Sequence, residues 1–397
     1  MTNQETVRPD SRGPGAIPSM GASASIYDTA AINALRRELR FEPGLLRRMR
    51  IAFFKHFRGA AAALDALPAG VRSAFAERVD FHPLRLHKRC DSRADGASKL
   101  IFRTRAGMLI EAVLLRAQKQ QGQPGRVALC VSSQVGCAAA CDFCATGKMG
   151  MAHNLSAAEV LDQVVQANEQ LAPEGRSVRN LVFMGMGEPL HNAAAVHEAI
   201  AALTDPTLFH HPPSRILVST VGVADAMAPL ARAFPGINLA LSLHSVRQAT
   251  RERIIPLAKR YPLDRLRETL VEVQRVQRRQ LMIEYLMLAG VNDSLDEAAE
   301  LIDWLRGDGS SGGGRAPIDA HVNLIPYNRV PNTPHLVGSD RPTREAFAGV
   351  LKHARLPTTL RYSMGADIEA ACGQLVRQEN RAVAAAAVKS AAKPRGG

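Results

Sequence analysis

The chain has 397 residues, of which 46% are hydrophobic, so it is long enough for one large globular domain with a smaller appendage. A formal net charge of +13 favours a polyanionic partner, with nucleic acid as the first candidate, over a protein that is cationic only for solubility. Six cysteines in so long a chain exclude a disulfide framework. No apolar run is long enough to span a membrane, and the polar N-terminus lacks a signal peptide's apolar stretch, so we expect a cytoplasmic protein.

The sequence of the N-terminal quarter of the chain predicts a disordered segment followed by helices. Residues 1–27 are polar and rich in Gly, Pro and Ser, which predicts a disordered tail. Residues 28–95 place apolar side chains at helical spacing, with Asp28 as the first cap, and predict a small all-helical accessory domain. Its basic side chains leave two alternatives open, a solvated helix face and an RNA-backbone contact: Arg36, Arg37, Arg40, Arg47, Arg48, Arg50, Lys55 and Arg58.

Three potential zinc ligands lie at the end of this region, His82, His87 and Cys90. Their spacing is loose and a fourth ligand is absent, whereas structural zinc takes four ligands. We therefore interpret residues 81–90 as a basic linker. Residues 96–125 then change to β character, because the apolar segments 99–103 and 108–114 flank Arg105-Ala-Gly107 and predict a hairpin, with a polar loop at 118–125.

From residue 126 onward, short apolar strands alternate with amphipathic helices. Strands are predicted at 127–131, 180–184, 215–219, 238–243, 282–286, 321–325 and 359–363, and helices at 157–171, 194–203, 264–277 and 295–305. This alternation indicates an α/β fold with a parallel sheet, and about six units predict a partial (β/α)6 TIM-like barrel over residues 126–376. Residues 307–314 predict a Gly/Ser-rich surface loop, and residues 377–397 a basic C-terminal tail.

The three closely spaced cysteines Cys137, Cys141 and Cys144 are the strongest chemical signal in the chain. A [4Fe–4S] cluster normally takes four cysteines, so three local thiols indicate a cluster with one iron open. An open iron can bind the amino and carboxylate groups of S-adenosylmethionine (SAM). The alternatives are a zinc site, which would need a fourth ligand, and a disulfide, which would leave an odd thiol in the loop.

Further polar groups follow the predicted strands, where sites in parallel sheets lie. Glycines at 185 and 187 would let a ligand approach the backbone, and Glu188 offers a carboxylate to the ammonium group of SAM. Ser219, Ser242, His244 and Asn328 occupy corresponding positions, although a buried core histidine and a turn asparagine are the ordinary alternatives for the last two. Among the isolated cysteines, Cys372 is flanked by small residues that favour a reactive thiol, and periodicity alone predicts core packing for Cys130.

Taken together, these motifs resemble one radical-SAM family, the methyltransferases of adenine in large-subunit ribosomal RNA (the RlmN/Cfr family). The matching segments, in the family's order, are Cys130-Val-Ser-Ser-Gln-Val-Gly-Cys137, Cys141-Asp-Phe-Cys144-Ala-Thr-Gly147, Phe183-Met-Gly-Met-Gly-Glu-Pro-Leu190, Ser219-Thr-Val-Gly-Val223, Leu241-Ser-Leu-His244, Val291-Asn-Asp293, Asn323-Leu-Ile-Pro-Tyr-Asn328 and Ala370-Ala-Cys-Gly-Gln-Leu375. The resemblance spans residues 100–376. It implies a partial radical-SAM barrel with a small helical accessory domain.

The resemblance also implies a role for each site residue. Cys137, Cys141 and Cys144 would hold the cluster, and the SAM site would comprise Gly187, Glu188, Ser219, Ser242, Leu243, His244 and Asn328. Cys372 matches the cysteine that a first SAM methylates. Cys130 matches a second thiol that resolves the RNA adduct through a transient disulfide, and Glu111 matches the proton acceptor.

The reaction that the resemblance implies explains the need for two isolated thiols. Adenine C2 and C8 are electron-poor carbons that do not attack the methylsulfonium group of SAM, so an ordinary methyl transfer fails there. A radical-derived carbon on Cys372 can add to them instead. The motifs leave open whether C2 or C8 is methylated, and whether the RNA is 23S ribosomal RNA or transfer RNA. We expect a monomer that receives electrons from a flavodoxin or ferredoxin. The rivals are a radical-SAM enzyme acting on a non-RNA substrate and an RNA-binding protein with a structural metal.

Overall fold

A computed structural model describes residues 23–117, 125–150, 152–307, 316–331, 333–375 and 380. The described strands are β1 Ala24–Ser25, β2 Val79–Asp80, β3 Arg85–Asp91, β4 Ala97–Arg103, β5 Leu109–Arg116, β6 Val127–Cys130, β7 Gln134–Gly136, β8 Ala152–Asn154, β9 Asn180–Phe183, β10 Ile216–Thr220, β11 Asn238–Ser242, β12 Leu281–Met287, β13 Ala320–Pro326 and β14 Thr358–Leu360. The described α-helices are α1 Thr29–Glu38, α2 Pro43–Phe54, α3 Gly59–Leu64, α4 Ala69–Arg78, α5 Ala157–Leu171, α6 Ala193–Thr204, α7 Ala224–Ala233, α8 Gln248–Ile254, α9 Leu263–Gln277, α10 Leu295–Arg306 and α11 Arg341–His353.

The central element is a ten-stranded sheet in the order β14-β13-β12-β11-β10-β9-β6-β5-β4-β3. The seven strands from β14 to β6 are parallel, as the strand–helix alternation predicts, and β5, β4 and β3 extend the sheet in antiparallel fashion. The prediction of an α/β fold with a partial barrel is therefore confirmed. Parallel pairing brings the carboxyl ends of β6 and β9–β13 to one edge, where ligand sites form in such folds.

Helices cover the parallel strands because each has an apolar stripe and well-defined ends. Ser156 and Glu159 form a capping box at the start of α5, whose Val160, Val164 and Leu171 are buried. Ser294 caps α10 through the backbone N–H of Glu297. None of the helices in the described ranges is long and apolar enough to cross a membrane.

The N-terminal region contains α1–α4 between residues 29 and 78, and Asp28 caps α1 by accepting from Ala31 N at 2.9 Å, as predicted. Two expectations for its boundaries are wrong. Ala24–Ser25 forms a strand that pairs with β2, and Ile26 is fully buried, so the predicted disordered tail does not extend to residue 27. Residues 1–22 lie outside the described part of the chain.

The second correction concerns residues 85–91, which form edge strand β3 rather than part of a helical domain or a linker. This strand is largely exposed and basic, so it lacks the apolar alternation that identifies a strand, and its pairing with β4 determines its structure. The predicted hairpin corresponds to β4 and β5. Most of the predicted polar loop, the Gly/Ser-rich loop after residue 307 and nearly all of the C-terminal tail lie outside the described residues.

The N-terminal region is joined to the barrel through Asp162, a fully buried carboxylate on α5. Asp162 accepts hydrogen bonds from Tyr27 Oη at 3.0 Å and from Leu84 N at 2.9 Å, and His82 Nδ1 lies 2.8 Å from it. Aromatic rings add to the contact, since Phe54 of α2 packs against Phe209, with ring centroids 5.0 Å apart. His82 is therefore a partner of a buried carboxylate in this contact.

Candidate active site

A cavity with about 1550 Å³ of empty space, including part of its open mouth, lies at the carboxyl ends of the parallel strands. The sequence-predicted residues that line it are Cys130, Cys137, Cys141, Cys144, Gly187, Glu188, Ser219, Ser242, His244 and Cys372. Their sequence positions span more than 240 residues, and the parallel sheet brings them together because each follows or ends a strand.

The cysteine loop is held against the barrel by backbone hydrogen bonds. Asp142 N donates to Ile254 O at 2.9 Å, and Cys144 N donates to Cys141 O at 3.2 Å. Gly147 is needed here, because a Cβ atom at that position would lie 2.9 Å from Cys141 N. Burial raises the pKa of Cys137 to about 12 and that of Cys141 well above its ordinary value, and the neighbouring thiolates raise the pKa of Cys141 further.

These three thiols fit an iron–sulfur cluster better than a zinc ion. Within the described ranges, no three His, Cys, Asp or Glu side chains come close enough together to hold a single metal ion. The three thiols nevertheless line one cavity and influence one another electrostatically. A [4Fe–4S] cluster bonded by three protein thiolates matches this set, because each thiolate bonds a different iron.

Glu188 lies at the end of the strand β9 motif and is almost fully buried. Its Oε1 accepts from Leu190 N at 3.0 Å and its Oε2 from Val221 N at 2.9 Å. Burial raises the pKa of Glu188 to about 7, although the hydrogen bonds from Val221 and Leu190 oppose the increase. Gly187 has φ of +102°, and a Cβ atom there would lie 2.6 Å from Gln134 Cβ, so only glycine fits this turn.

The next two strand ends present hydroxyl and imidazole groups. Ser219 Oγ and Ser242 Oγ are 3.3 Å apart on β10 and β11. His244 Nδ1 accepts from Leu286 N at 3.0 Å, which leaves Nε2–H as the donor of the neutral ring. Burial lowers the pKa of His244 to about 3, with a further decrease from Arg251, so the ring stays neutral at physiological pH.

Cys130 and Cys372 line the same cavity from opposite ends of the sequence. Burial raises the pKa of Cys130 to about 12, with a further increase from the charge of Cys372. All six cysteines are free, so the disulfide that the resemblance implies between these two thiols is not formed in the structure. Cys372 is exposed to the cavity, and its loop is attached to the cysteine loop through Ala145 N, which donates to Gly373 O at 2.8 Å.

Three other predicted site residues do not line the cavity. Leu243 is fully buried in the core, and Asn328 donates from Nδ2 to Cys372 O at 3.1 Å, so it supports the Cys372 loop. Glu111 lies on β5 two residues before Val113, a cavity residue, and therefore points to the same face of the strand. Its Oε1 is 3.5 Å from Lys99 Nζ.

The sequence analysis did not identify three charged residues near the site, namely Arg251, Glu284 and Arg361. Glu284 and Arg361 line the cavity, whereas Arg251 is fully buried beneath it and donates to Ser242 O at 3.0 Å. A glutamate in an otherwise apolar parallel strand is a signal that could have identified Glu284. Arg251 carries no comparable local signal, because arginines are common in exposed helices.

The structure bears on which basic residues are available for contact with an RNA backbone. Arg50 is buried in α2 and is therefore withdrawn from an RNA backbone, and Lys55 Nζ donates to Pro206 O. A further basic segment contains Arg275 in the last turn of α9 and Arg279 between α9 and β12, and Arg279 donates to Asn238 Oδ1 at the start of β11. They therefore lie at the amino edge of the sheet, opposite the cavity.

Comparison with known proteins agrees with this site. The radical SAM superfamily model matches residues 131–305. A probable RNA methyltransferase of Rhodopirellula baltica is 53% identical over 360 residues, which cover 91% of this chain and 89% of that protein. A probable dual-specificity RNA methyltransferase RlmN of Thermus thermophilus is 37% identical over 353 residues, covering 87% of this chain and 94% of that protein.

Among solved structures, a radical SAM methyltransferase from Sphaerobacter thermophilus is 34% identical and superposes with a TM-score of 0.80, covering 89% of this chain and 99% of that chain. The match to the Rhodopirellula baltica relative covers 91% of this chain, well beyond the residues 131–305 that the superfamily model matches. On the strength of this shared length and of the cavity that the shared motifs form, the chain belongs to the radical-SAM RNA methyltransferases of the RlmN type.

Proposed function

We propose that the enzyme methylates a ring carbon of adenine, C2 or C8, in large-subunit (23S) ribosomal RNA. One observation carries this proposal: Cys130 and Cys372 line the same cavity as the three-cysteine loop. A radical-SAM enzyme that acts on another class of substrate needs the cysteine loop but not this second pair of thiols. Their proximity fits a reaction in which one thiol carries the methyl carbon and the other releases it.

Cys372 is the residue we assign as the methyl carrier. It is exposed to the cavity, and its carbonyl oxygen and the following residue are anchored by Asn328 and Ala145. These contacts fix the position of the sulfur relative to the cysteine loop. A methyl group taken from a first SAM would then point into the cavity, where an electron-poor adenine carbon can react with it.

Cys137, Cys141 and Cys144 would hold a [4Fe–4S] cluster. Such a cluster would supply the electron for reductive cleavage of SAM, which is the source of the radical chemistry. Around it, Glu188 offers carboxylate oxygens, and Ser219, Ser242 and His244 offer hydroxyl and Nε2–H groups to SAM, with Gly187 allowing close approach. Leu243 and Asn328 would act through the backbone and the Cys372 loop.

The last steps require a base and a second thiol. Glu111 is the proposed proton acceptor; it lies on the cavity face of β5 and is paired with Lys99. Cys130 ends β6 opposite Val113 and lines the cavity. Its thiolate would attack Cys372 Sγ, so that a Cys130–Cys372 disulfide forms as the S–C bond to the base breaks, and the released carbon takes up a proton to become the methyl group. The proposed partners are the RNA and a flavodoxin or ferredoxin, for a monomer in the cytoplasm.

Mass spectrometry of the protein purified with its cluster and SAM tests the proposal directly. We expect one extra methyl group on Cys372, and none in Cys372→Ala. The loaded enzyme is then incubated with unmethylated ribosomal RNA and, separately, with transfer RNA. Nucleoside digests should contain 2-methyladenosine or 8-methyladenosine from the ribosomal RNA. An unmodified Cys372 in cluster-loaded enzyme, or no methylated adenosine, would contradict the proposal.

A further inference from the structure

Glu284 is a buried carboxyl in the cavity that no step of the proposed function uses. It lies on β12, is 1% exposed, and its Oε1 accepts from Asn323 Nδ2 at 3.1 Å. Among the described residues, no donor reaches hydrogen-bond distance of its buried Oε2. A buried acceptor without a donor costs free energy, so it is expected to meet a donor that arrives with a ligand.

Arg361 is the cation next to this carboxyl. Its Nη1 lies 3.8 Å from Glu284 Oε2, too far for a hydrogen bond, and its side chain is 40% exposed at the cavity. Arg361 N donates to Leu324 O at 2.9 Å, which fixes the start of the residue at the end of the sheet. Glu284 and Arg361 thus place an acceptor and a donor side by side on one cavity wall.

This pair lies close to the proposed methyl carrier. Glu284, Arg361 and Cys372 all line the same cavity. Desolvation inside that cavity raises the pKa of Cys372 to about 11, while the charge of Arg361 opposes the increase and that of Glu284 adds to it. Arg361 also lowers the pKa of Cys130, although burial dominates there. A base that reacts at Cys372 would therefore have the Glu284–Arg361 pair beside it.

We propose that Glu284 and Arg361 recognise the adenine that is methylated, with Glu284 Oε2 accepting from the 6-amino group and Arg361 donating to the neighbouring ring nitrogen. This inference rests on the proposed function. The 6-amino group is flanked by N1, which adjoins C2, and by N7, which adjoins C8, so the same donor–acceptor pair serves methylation at either carbon. Guanine carries an oxygen acceptor at position 6, which a buried carboxylate repels.

The 6-amino group can be removed to test this contact. A synthetic RNA is centred on the adenosine that the digests identify, and a second copy carries purine riboside, which lacks the amino group, at that position. For wild type we expect kcat/KM to fall about tenfold to a hundredfold on the purine substrate. In Glu284→Leu, kcat/KM on the adenosine RNA should already be lowered by this factor. Replacing adenosine by purine riboside should then change the kcat/KM of the variant by no more than about twofold.

Two further variants separate recognition from folding. Glu284→Gln keeps an acceptor oxygen, and we expect it to recover part of the preference for adenosine over purine riboside. Glu272→Gln changes an exposed glutamate on α9, about half exposed beside Arg232, and should retain the wild-type preference. If Glu284 had only a structural role, every Glu284 variant would lower kcat/KM by the same factor on the adenosine RNA and on the purine riboside RNA. Equal losses of kcat/KM on the two substrates would therefore overturn the inference.

SAM also contains an adenine, and methylation of Cys372 by SAM in the absence of RNA distinguishes the two ligands. If Glu284→Leu abolishes that methylation, Glu284 serves SAM, and the inference is wrong while the proposed function stands. If wild type methylates neither RNA, the proposed function fails and the inference fails with it. Both proposals are supported if Glu284→Leu still methylates Cys372 and if its loss of kcat/KM on RNA does not add to the loss caused by removal of the 6-amino group.

Discussion

Arg251 is a fully buried guanidinium that donates to the carbonyl oxygens of Val221, Ser242 and Leu243. Burial lowers the pKa of Arg251 to about 10, and the charge of Cys141 opposes this decrease. Taking a cation out of water is costly unless an anion compensates for it. The three thiolates of a bound cluster would supply that anion, so Arg251 is expected to stabilise the loaded site.

Replacement of Arg251 by methionine should therefore weaken retention of the cluster. We expect iron per chain after reconstitution to fall several-fold in Arg251→Met, while the far-ultraviolet circular dichroism spectrum stays that of wild type. Arg253→Met removes an exposed arginine from the same helix and should retain full iron content. Equal iron content in the two variants would contradict this role for Arg251.

His82 gives the free energy of unfolding a pH dependence. Burial lowers the pKa of His82, but its hydrogen bond to Asp162, together with the charges of Asp162, Glu169 and Asp80, raises it more, so the net shift is upward. A group whose pKa is raised by folding stabilises the protein fully below its unfolded pKa of about 6.5. That stabilisation is lost as the pH rises through the folded pKa.

Chemical denaturation between about pH 5.5 and about pH 9 should show this loss in wild type and a flatter curve in His82→Gln. The difference between the two proteins should be largest at the acidic end, where His82 is charged. Far-ultraviolet circular dichroism reports unfolding in both. Parallel curves would mean that the His82–Asp162 contact does not change with protonation.

At the level of single residues, the sequence predicts groups that occur in spaced motifs and misses those that act alone. Cys137 and its two neighbours are recognisable because three thiols in eight residues have few other uses. Arg251 and Glu284 are single charges inside ordinary helix and strand patterns, and their burial depends on which strands meet above them. That information is tertiary, so a local pattern cannot contain it.

At the level of secondary-structure elements, the conformation of the turn after β9 depends on a glycine at position 187. Gly187 combines φ of +102° with a position where a Cβ atom would lie 2.6 Å from Gln134 Cβ and 2.8 Å from Gln134 N. Gln134 in turn accepts from Glu188 N at 2.8 Å through Oε1. An alanine would therefore shift Gln134 and Glu188 together.

We expect Gly187→Ala to lower the free energy of unfolding by about 3 kcal/mol and to weaken SAM binding. Gly290→Ala is the matched control, because Gly290 also has a positive φ, of +66°, but no atom within 4 Å of its Cβ position. It should cost about 1 kcal/mol and leave SAM binding unchanged. Urea denaturation and SAM titration measure the two effects, and equal losses in both variants would exclude a steric cause.

The parallel strands were predictable as elements because each combines a short apolar run with a following helix. Strand β3 was not, since its residues are mostly polar and it is defined by pairing with β4. The two-stranded sheet of β7 and β8, with Gln134 opposite Asn154, was likewise missed because its strands are three residues long. Tertiary pairing outweighs local propensity in both cases.

In the whole molecule, residues 361–375 join the two sides of the open barrel. This closing segment follows β14 and ends at the cysteine loop, where Thr146 Oγ1 donates to Leu375 O. On the way it contacts the β3–β4 turn: Gly365 N donates to Asp95 Oδ2 at 2.7 Å, and Asp367 accepts from Ser92 Oγ at 2.8 Å. Cys372 is thus positioned by contacts with both edges of the sheet.

We therefore expect Asp95→Ala combined with Asp367→Ala to loosen the closing segment. Asp367 also accepts from Arg93 N, so the double variant removes three hydrogen bonds between the segment and the β3–β4 turn. Deuterium uptake in residues 361–375 should rise, and methylation of Cys372 by SAM should slow several-fold.

Asp340→Ala is the control, because Asp340 caps α11 through Thr343 N and its loss removes an exposed aspartate hydrogen bond away from the segment. It should change neither deuterium uptake in residues 361–375 nor the methylation rate. A double variant that takes up more deuterium yet methylates Cys372 at the wild-type rate would show that the cysteine loop alone positions the thiol. Slower methylation without increased uptake would instead point to a direct effect of the lost carboxylates on the cavity.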